Sequence, residues 1–473
     1  MTELWPHQRA AVDFIAPLGR GMLAMDMGTG KTLAALALLE EWGCKRVLIL
    51  CPKSVVSVWP QEFQKHTGQT WRVVPLEKGS VGKRTQKLTT ALLCSEADQR
   101  PCAVILNYDA VIHKPLGPNK KEKGVLVSTP WDCVIMDESH RIKSPGGKQS
   151  LVVSQIARNS EHPLGLTGTP MPHSPLDVYA QFRAIDPRVF GYRFDDFRER
   201  YAVMEERSRW IPERNGQRGR RQTYHEITGY QNLGELHDRM YTATYRVTSD
   251  EVLDLPDVMD VERYCLLAPK AKRIYDALET DLIAEIESGL VTAQNALTQL
   301  LRLAQVANGF AVDAATNETH QVGTEKAELL ADVLEDLPGD EPLVVFCRFH
   351  NDLDTVHGVV AEAGRTSCEL SGRRNELAAW QAGETNVLVA QLQAGGLGVD
   401  LTRARYQVYF ALDFNLGSYL QTRKRIHRPG QTRNVTYIHL IAAGTVDDRV
   451  YAALAQREQV VTGVLNGLIR QAA

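Results

Sequence analysis

Eight short runs rich in Val, Ile and Leu, separated by longer stretches of helical periodicity, set the tightest limit on how this chain folds. In the first half they are RVLILCP (46–52), AVILNY (103–108), CVIMDE (133–138) and PLGLTG (163–168). In the second half they are PLVVFCR (342–348), NVLVAQL (386–392), YQVYFALD (406–413) and VTYIHLI (435–441). Runs apolar at nearly every position, rather than at alternate ones, fit strands buried on both faces. Strands that alternate with helices form parallel sheets covered by helices. The expectation is an α/β protein with one such sheet in each half. A length of 473 residues leaves room for two or three domains, each with its own core.

The middle reads differently. Residues 188–260 carry no strong strand run, and ERNGQRGRRQ (213–222) reads as a polar, exposed, Arg-rich loop. Residues 268–306 read as two helices broken near Gly289, and 447–470 as a closing helix with Val450, Leu454, Val461, Val464, Leu465 and Leu468 on its apolar face.

Composition excludes several classes. With 44% hydrophobic and 23% charged residues the chain is neither disordered nor fibrous. Its eight cysteines show no C-x-x-C spacing and no second pair to complete a zinc site. Scattered thiols of that kind suit a reducing cytosol. The N-terminus lacks a signal peptide's basic and apolar stretches, and no run approaches the length of a membrane span, so the expected setting is cytoplasmic, with no membrane partner. A net charge of −3 argues against a strongly basic nucleic-acid binder but leaves room for a local basic groove.

Two segments carry chemistry. In MLAMDMGTGKT (22–32) a glycine turn runs into the helical LAALALLEEWG. Gly28, Thr29 and Gly30 form a turn whose N–H groups face a phosphate at a helix N-terminus. Lys31 would reach the β- and γ-phosphates of ATP, and the Thr32 hydroxyl would hold Mg²⁺. The full G-x-x-x-x-G-K-[ST] pattern fails at its first position, which is Met25. In DCVIMDESH, Asp137 and Glu138 follow a buried strand, and parallel sheets present ligands at strand carboxyl ends. Asp137 would complete the Mg²⁺ shell and Glu138 would orient or deprotonate the attacking water. An ATPase follows.

With these in place, GTGKT (28–32), DESH (137–140), LTGTP (166–170), AGGLGVDL (394–401) and QTRKRIHRPGQ (421–431) occur in the order of helicase superfamily two. The last two most resemble the Swi/Snf-type (sucrose-nonfermenting) DNA translocases. VLILCPKSVVSVWPQEF (47–63), ILNYD (105–109), YRVTSDEVLDLPD (245–257) and GTEKAELLADVLEDL (323–337) are similar to that family's connecting blocks. The resemblance implies two RecA-like P-loop NTPase lobes with parallel sheets, plus a helical protrusion and connector. The implied boundaries are 1–187 for lobe one, 188–322 for protrusion and connector, and 323–473 for lobe two.

The resemblance also implies roles. Gln8 matches the adenine-reading glutamine, and Gln421, Arg425 and Arg428 match the γ-phosphate sensor and two arginine fingers, worth about 10³–10⁵ in rate. Thr167 and Thr169 match the element coupling ATP state to nucleic acid, while Lys53, Gly395 and Gly396 match backbone-tracking positions. The site is then complete only when the lobes close, so ATP binding and hydrolysis drive a hinge cycle.

Several residues depart from the family pattern: Ser139 stands for alanine, Lys424 for glycine, His173 for asparagine, and Gln391 for Ser/Thr. Phosphate contact needs local positive charge. Arg423, Lys424, Arg425, Arg428 and Arg433 lie together without an intervening acid, as do Arg214, Arg218, Arg220 and Arg221. For the latter group a DNA-backbone contact and a plain solvated loop remain equally open.

The implied function is an ATP hydrolase translocating on double-stranded DNA, sequence-independent and monomeric. The alternatives are a strand-separating DNA or RNA helicase, or a nucleotide-gated binding scaffold. The chain ends soon after its final helical pattern, which favours a core motor of prokaryotic or phage origin working beside replication, repair or recombination proteins.

Overall fold

The computed structural model describes residues 2–77, 79–113, 116, 124–211, 220–287, 293–313, 316, 318–395 and 399–465. Strands β1 (Gly21–Met25), β2 (Arg46–Cys51), β3 (Arg72–Pro75), β4 (Cys102–Asn107), β5 (Cys133–Asp137) and β6 (His162–Leu166) occupy the first part of the chain. β7 (Ala202–Ile211), β8 (Arg220–Tyr230), β9 (Thr244–Val247) and β10 (Val258–Cys265) fall in the middle. The rest carries β11 (Phe310–Val312), β12 (Thr319–Gln321), β13 (Leu343–Cys347), β14 (Ser367–Leu370), β15 (Val387–Gln391), β16 (Tyr406–Tyr409) and β17 (Val435–Ala442).

The described residues divide into two compact units. One contains residues 1–203, 229–254 and 460–473 of the chain, the other 204–228 and 255–459. The first holds a seven-stranded sheet in the order β3-β4-β2-β5-β6-β1-β9, parallel at every pairing. The second holds a six-stranded sheet in the order β10-β17-β16-β13-β15-β14, also parallel throughout. All eight apolar runs lie in these two sheets.

The central strands behave as their composition requires. Val47 to Cys51 in β2 and Leu343 to Cys347 in β13 are fully buried. Each such Val, Leu, Ile or Phe stabilises the fold by about 1.5–3 kcal/mol. Helix Lys31–Glu41 buries Leu33 through Leu39 on every side, which explains why its apolar residues show no single stripe.

The middle of the chain departs from expectation, because 188–260 does contain strands. β7 and β8 pair as a two-stranded sheet on which Val203, Tyr224 and Ile227 are exposed rather than buried, with Arg207 bridging to Glu226 at 3.3 Å. Backbone pairing and cross-strand charge hold it, so no apolar run announces it. Arg220 and Arg221 lie on β8 rather than in a loop; Arg214 and Arg218, with residues 212–219, lie outside the described residues. β9 is four residues long and joins β1 in parallel, Met22 opposite Thr244 and Met25 opposite Val247. β10 is an edge strand, with Met259 and Tyr264 more than half exposed, and takes its hydrogen bonds from β17.

Helices Pro269–Glu287 and Ala293–Ala307 match the expected pair; Gly289 lies outside the described residues. The closing helix is Val446–Leu465. The eight cysteines are free thiols. Among the described residues no helix is long and apolar enough to cross a membrane.

Candidate functional site

The sheet order β5-β6-β1 lays three strand ends side by side, and each of the three sequence motifs of the first unit leaves one of them. The glycine turn follows β1, DESH follows β5, and LTGTP follows β6.

The glycine turn is built as a cradle. Gly28 has φ 86° and Gly30 φ 82°, left-handed values that strain any residue with a Cβ. A Cβ on Gly30 would also lie 2.1 Å from Gln8 Nε2. Gln8 is buried and donates to the Thr29 carbonyl at 3.0 Å, while its Oε1 accepts the Trp5 N–H. The His7 ring lies 2.8 Å from the same carbonyl. Lys31 Nζ turns to the Asp26 carbonyl, 3.3 Å away, and Thr29 Oγ1 donates to it at 2.8 Å.

A tie from far along the chain completes the turn. The Ser249 N–H donates to Asp26 Oδ2 at 3.2 Å, and its hydroxyl reaches Met27 O at 3.3 Å. Ser249 lies within YRVTSDEVLDLPD, a block the sequence marks without a role. His7 and Ser249 carried no motif signal of their own; only the fold brings them to the turn.

Asp137 ends β5, and Glu138 follows it at φ 52° and ψ 55°, a left-handed backbone in a non-glycine residue. Such strain persists where surrounding structure imposes it, and it clusters at functional sites. Burial and then the neighbouring Glu138 charge push the Asp137 carboxyl up to about 7, against Lys31, the Trp59 indole and the Glu138 N–H. Trp59 Nε1 donates to Asp137 Oδ2 at 3.1 Å, and the Tyr108 hydroxyl donates to the Asp137 carbonyl at 2.8 Å.

His140 and Ser139 connect this box to LTGTP. His140 Nδ1 lies 3.3 Å from Glu138 Oε2 and 3.1 Å from Thr167 Oγ1, which in turn accepts the Thr169 N–H. Ser139 is fully buried and its hydroxyl donates to Gln181 Oε1 at 2.7 Å; Gln181 Nε2 donates to Pro170 O at 2.7 Å. The serine that departs from the family's alanine thus gains a bonded partner. Thr167 and Thr169 are both buried, whereas Lys53 is exposed in the turn after β2. The His173 N–H donates to Asp177 Oδ2, a contact any residue would make.

In the second unit, helix Leu416–Ile426 carries Gln421 and the nearly buried Arg425. Arg428 Nη1 donates to Val399 O at 3.4 Å. The basic strip of the sequence is not bare in the fold. Arg423 forms a two-pronged pair with Asp260, its guanidinium 3.9 Å from the Tyr437 ring centre, and Arg433 pairs with Glu341 at 2.9 Å. Those acids come from distant segments, so the local charge count overstated the free charge. Gln391 Nε2 donates to Arg348 O at 3.4 Å. Gly395 ends the short helix Leu392–Gly395; Gly396 lies outside the described residues.

The residues of the first unit fit a magnesium nucleotide. A turn with left-handed Gly28 and Gly30 opens at the start of a helix whose first residues are Lys31 and Thr32, and the buried Asp137 carboxyl feels the charge of the adjacent Glu138. Burying such a pair without a cation is costly, and a bound divalent ion relieves the cost.

Fold and site together define a P-loop nucleotide-binding protein with two parallel-sheet units. Residues 7–310 match the SNF2-related domain and residues 325–430 the helicase conserved C-terminal domain. The chain belongs to the SNF2-related family. It is 26% identical over 472 residues to mouse Chromodomain-helicase-DNA-binding protein 1-like, covering 94% of this chain and 48% of that protein. It is 26% identical to human DNA annealing helicase and endonuclease ZRANB3, covering 98% of this chain and 40% of that one. An uncharacterized ATP-dependent helicase of Mycoplasma pneumoniae is 23% identical, with coverage of 98% and 42%. The chain therefore spans less than half the length of these relatives. The Sulfolobus solfataricus SWI2/SNF2 ATPase core in complex with dsDNA aligns at TM-score 0.43 and 20% identity, over 99% of this chain and 95% of that one.

Proposed function

We propose that the protein is a DNA-stimulated ATPase that couples hydrolysis to translocation on double-stranded DNA. The observation that carries this reading is the convergence of the glycine turn, Asp137 and Glu138, and the LTGTP element on adjacent strand ends of one sheet, in a chain of the SNF2-related family. Bound Mg²⁺ would neutralise charge on the β- and γ-phosphates. In this reading Gly28, Thr29, Gly30 and Lys31 bind the phosphates, Gln8 lies toward the base, and Thr32 and Asp137 hold the metal. Glu138 orients the attacking water and takes its proton. Gln421, Arg425 and Arg428 act on the transferring phosphoryl.

Hydrolysis reaches DNA through the Glu138–His140–Thr167 chain. Thr169 belongs with Thr167 to the coupling element, and Lys53, Gly395, Gly396, Arg218, Arg220 and Arg221 contact the DNA backbone without reading sequence. The protein acts as a monomer in the cytoplasm of a prokaryotic or phage-infected cell, beside replication, repair or recombination proteins.

The test is ATP turnover measured side by side with duplex, single-stranded and forked DNA and with RNA. Duplex should stimulate most, with affinity falling steeply as salt rises. Equal rates with and without every nucleic acid overturn the reading.

A further inference from the structure

Trp59 begins helix Trp59–Thr67, inside a segment to which the sequence assigns only a connecting part. The side chain is 1% exposed and leans on Phe63, with ring centres 6.2 Å apart; Phe63 in turn packs on Trp71 at 5.3 Å. Phenylalanine would keep a ring in this packing, though a smaller one. Besides bulk, tryptophan adds one polar atom, an N–H that can only donate.

A buried indole N–H needs an acceptor, and many carbonyls serve that need in a protein interior. Trp59 takes a carboxylate instead, Asp137 Oδ2 at 3.1 Å. The main chain of the same residue is held separately by the Tyr108 hydroxyl, itself on a buried side chain, at 2.8 Å. Tyr108 directly follows β4, and Trp59 lies in the segment after β2, next to β5 in the sheet. Side chain and backbone of Asp137 are thus each tied to a rigid aromatic residue. One lone pair of Oδ2 is committed to the indole, and the carboxylate is held in one rotation about its last bond.

We propose that Trp59 is a positioning residue for the magnesium site, its indole N–H fixing the orientation in which Asp137 meets the metal. The proposal rests on the reading of Asp137 as the magnesium-side carboxylate. Groups that orient a metal ligand from behind are worth about 10–100-fold in metal affinity.

The experiment titrates Mg²⁺ against a fluorescent ADP at equilibrium, so that no turnover is needed. Trp59→Phe keeps a ring in the packing and should raise half-saturating Mg²⁺ about tenfold, with ADP affinity in the absence of metal unchanged. Asp137→Asn separates the two claims. If it keeps the wild-type Mg²⁺ dependence, Asp137 is not the metal carboxylate, and both the reading and the proposal fall. If it loses that dependence while Trp59→Phe keeps it, the proposal alone falls.

A second measurement does not depend on the Trp59 variant folding. In ¹⁵N-indole-labelled wild-type protein, the indole resonance that Asp137→Asn displaces should move on adding Mg²⁺ with ADP and not with ADP alone. An indole resonance indifferent to Mg²⁺ overturns the proposal.

Discussion

His140 and Thr167 meet through Nδ1 and Oγ1 at 3.1 Å, and the same ring nitrogen lies 3.3 Å from the Glu138 carboxylate. One imidazole therefore touches both the acid proposed to handle water and the element proposed to sense DNA. Thr167→Val keeps the shape but removes the hydroxyl that His140 and the Thr169 N–H both use. We expect basal ATPase to be largely kept, while stimulation by duplex DNA falls at least tenfold. The buried Thr169 N–H left without its acceptor costs about 1–3 kcal/mol of stability. Stimulation ratios with and without duplex DNA, beside thermal melting, check both parts.

Glu138 separates strain from chemistry. Its left-handed backbone costs a residue with a Cβ on the order of 1 kcal/mol, and asparagine tolerates that region best among such residues. Glu138→Gln and Glu138→Asn should both abolish turnover while ATP still binds. The asparagine variant should melt about 2 °C higher than the glutamine variant. Turnover persisting in Glu138→Gln would remove Glu138 from its proposed role.

Gly30→Ala tests the cradle. The added methyl meets Gln8 Nε2 and is held at a positive φ, so the loop must shift. A loss of about 1–2 kcal/mol in stability should accompany a fall in nucleotide affinity of more than tenfold. Gly43→Ala is the control: it also has positive φ, but nothing lies within 4 Å of its Cβ, so it should lose stability without losing nucleotide.

Acid should weaken the second unit through Glu369. Burial alone would raise this carboxyl, but Arg373 at 2.8 Å and the Ser371 hydroxyl hold it down at about 2. A depressed carboxylate stabilises the fold above its unfolded value of about 4.3, and that contribution disappears as pH falls toward about 2. That contribution is fully present at pH 7. Glu369→Gln should lower stability at pH 7 and flatten the pH dependence between about 4.5 and 2, read by denaturant unfolding across that range.

The parts legible in the sequence were those whose signal is local. β2 and β13 are apolar at every position because both faces are covered. Lys31, Asp137 and Glu138 stand beside the turn or strand end that positions them. β7 and β8 were invisible because their pairing rests on backbone bonds and Arg207–Glu226 charge rather than apolar burial. Trp59 and Ser249 were missed for another reason: each acts through a partner that only the strand order brings near. Arg423 shows the opposite error. It reads as free positive charge until Asp260, from an edge strand far back in the chain, neutralises it.

The late arrival of β9 beside β1 has a consequence for synthesis. Asp26 takes its main-chain partner from Val247 and its side-chain partner from Ser249. Roughly 80 residues separate the end of β6 from Ser249, or about 4–16 s of translation at 5–20 residues per second. During that interval the ribosome holds a sheet whose β1 edge is open and whose phosphate loop lacks its brace. A nascent chain stalled before residue 244 should therefore bind nucleotide poorly, and the ability to bind it should appear only once β9 has been made.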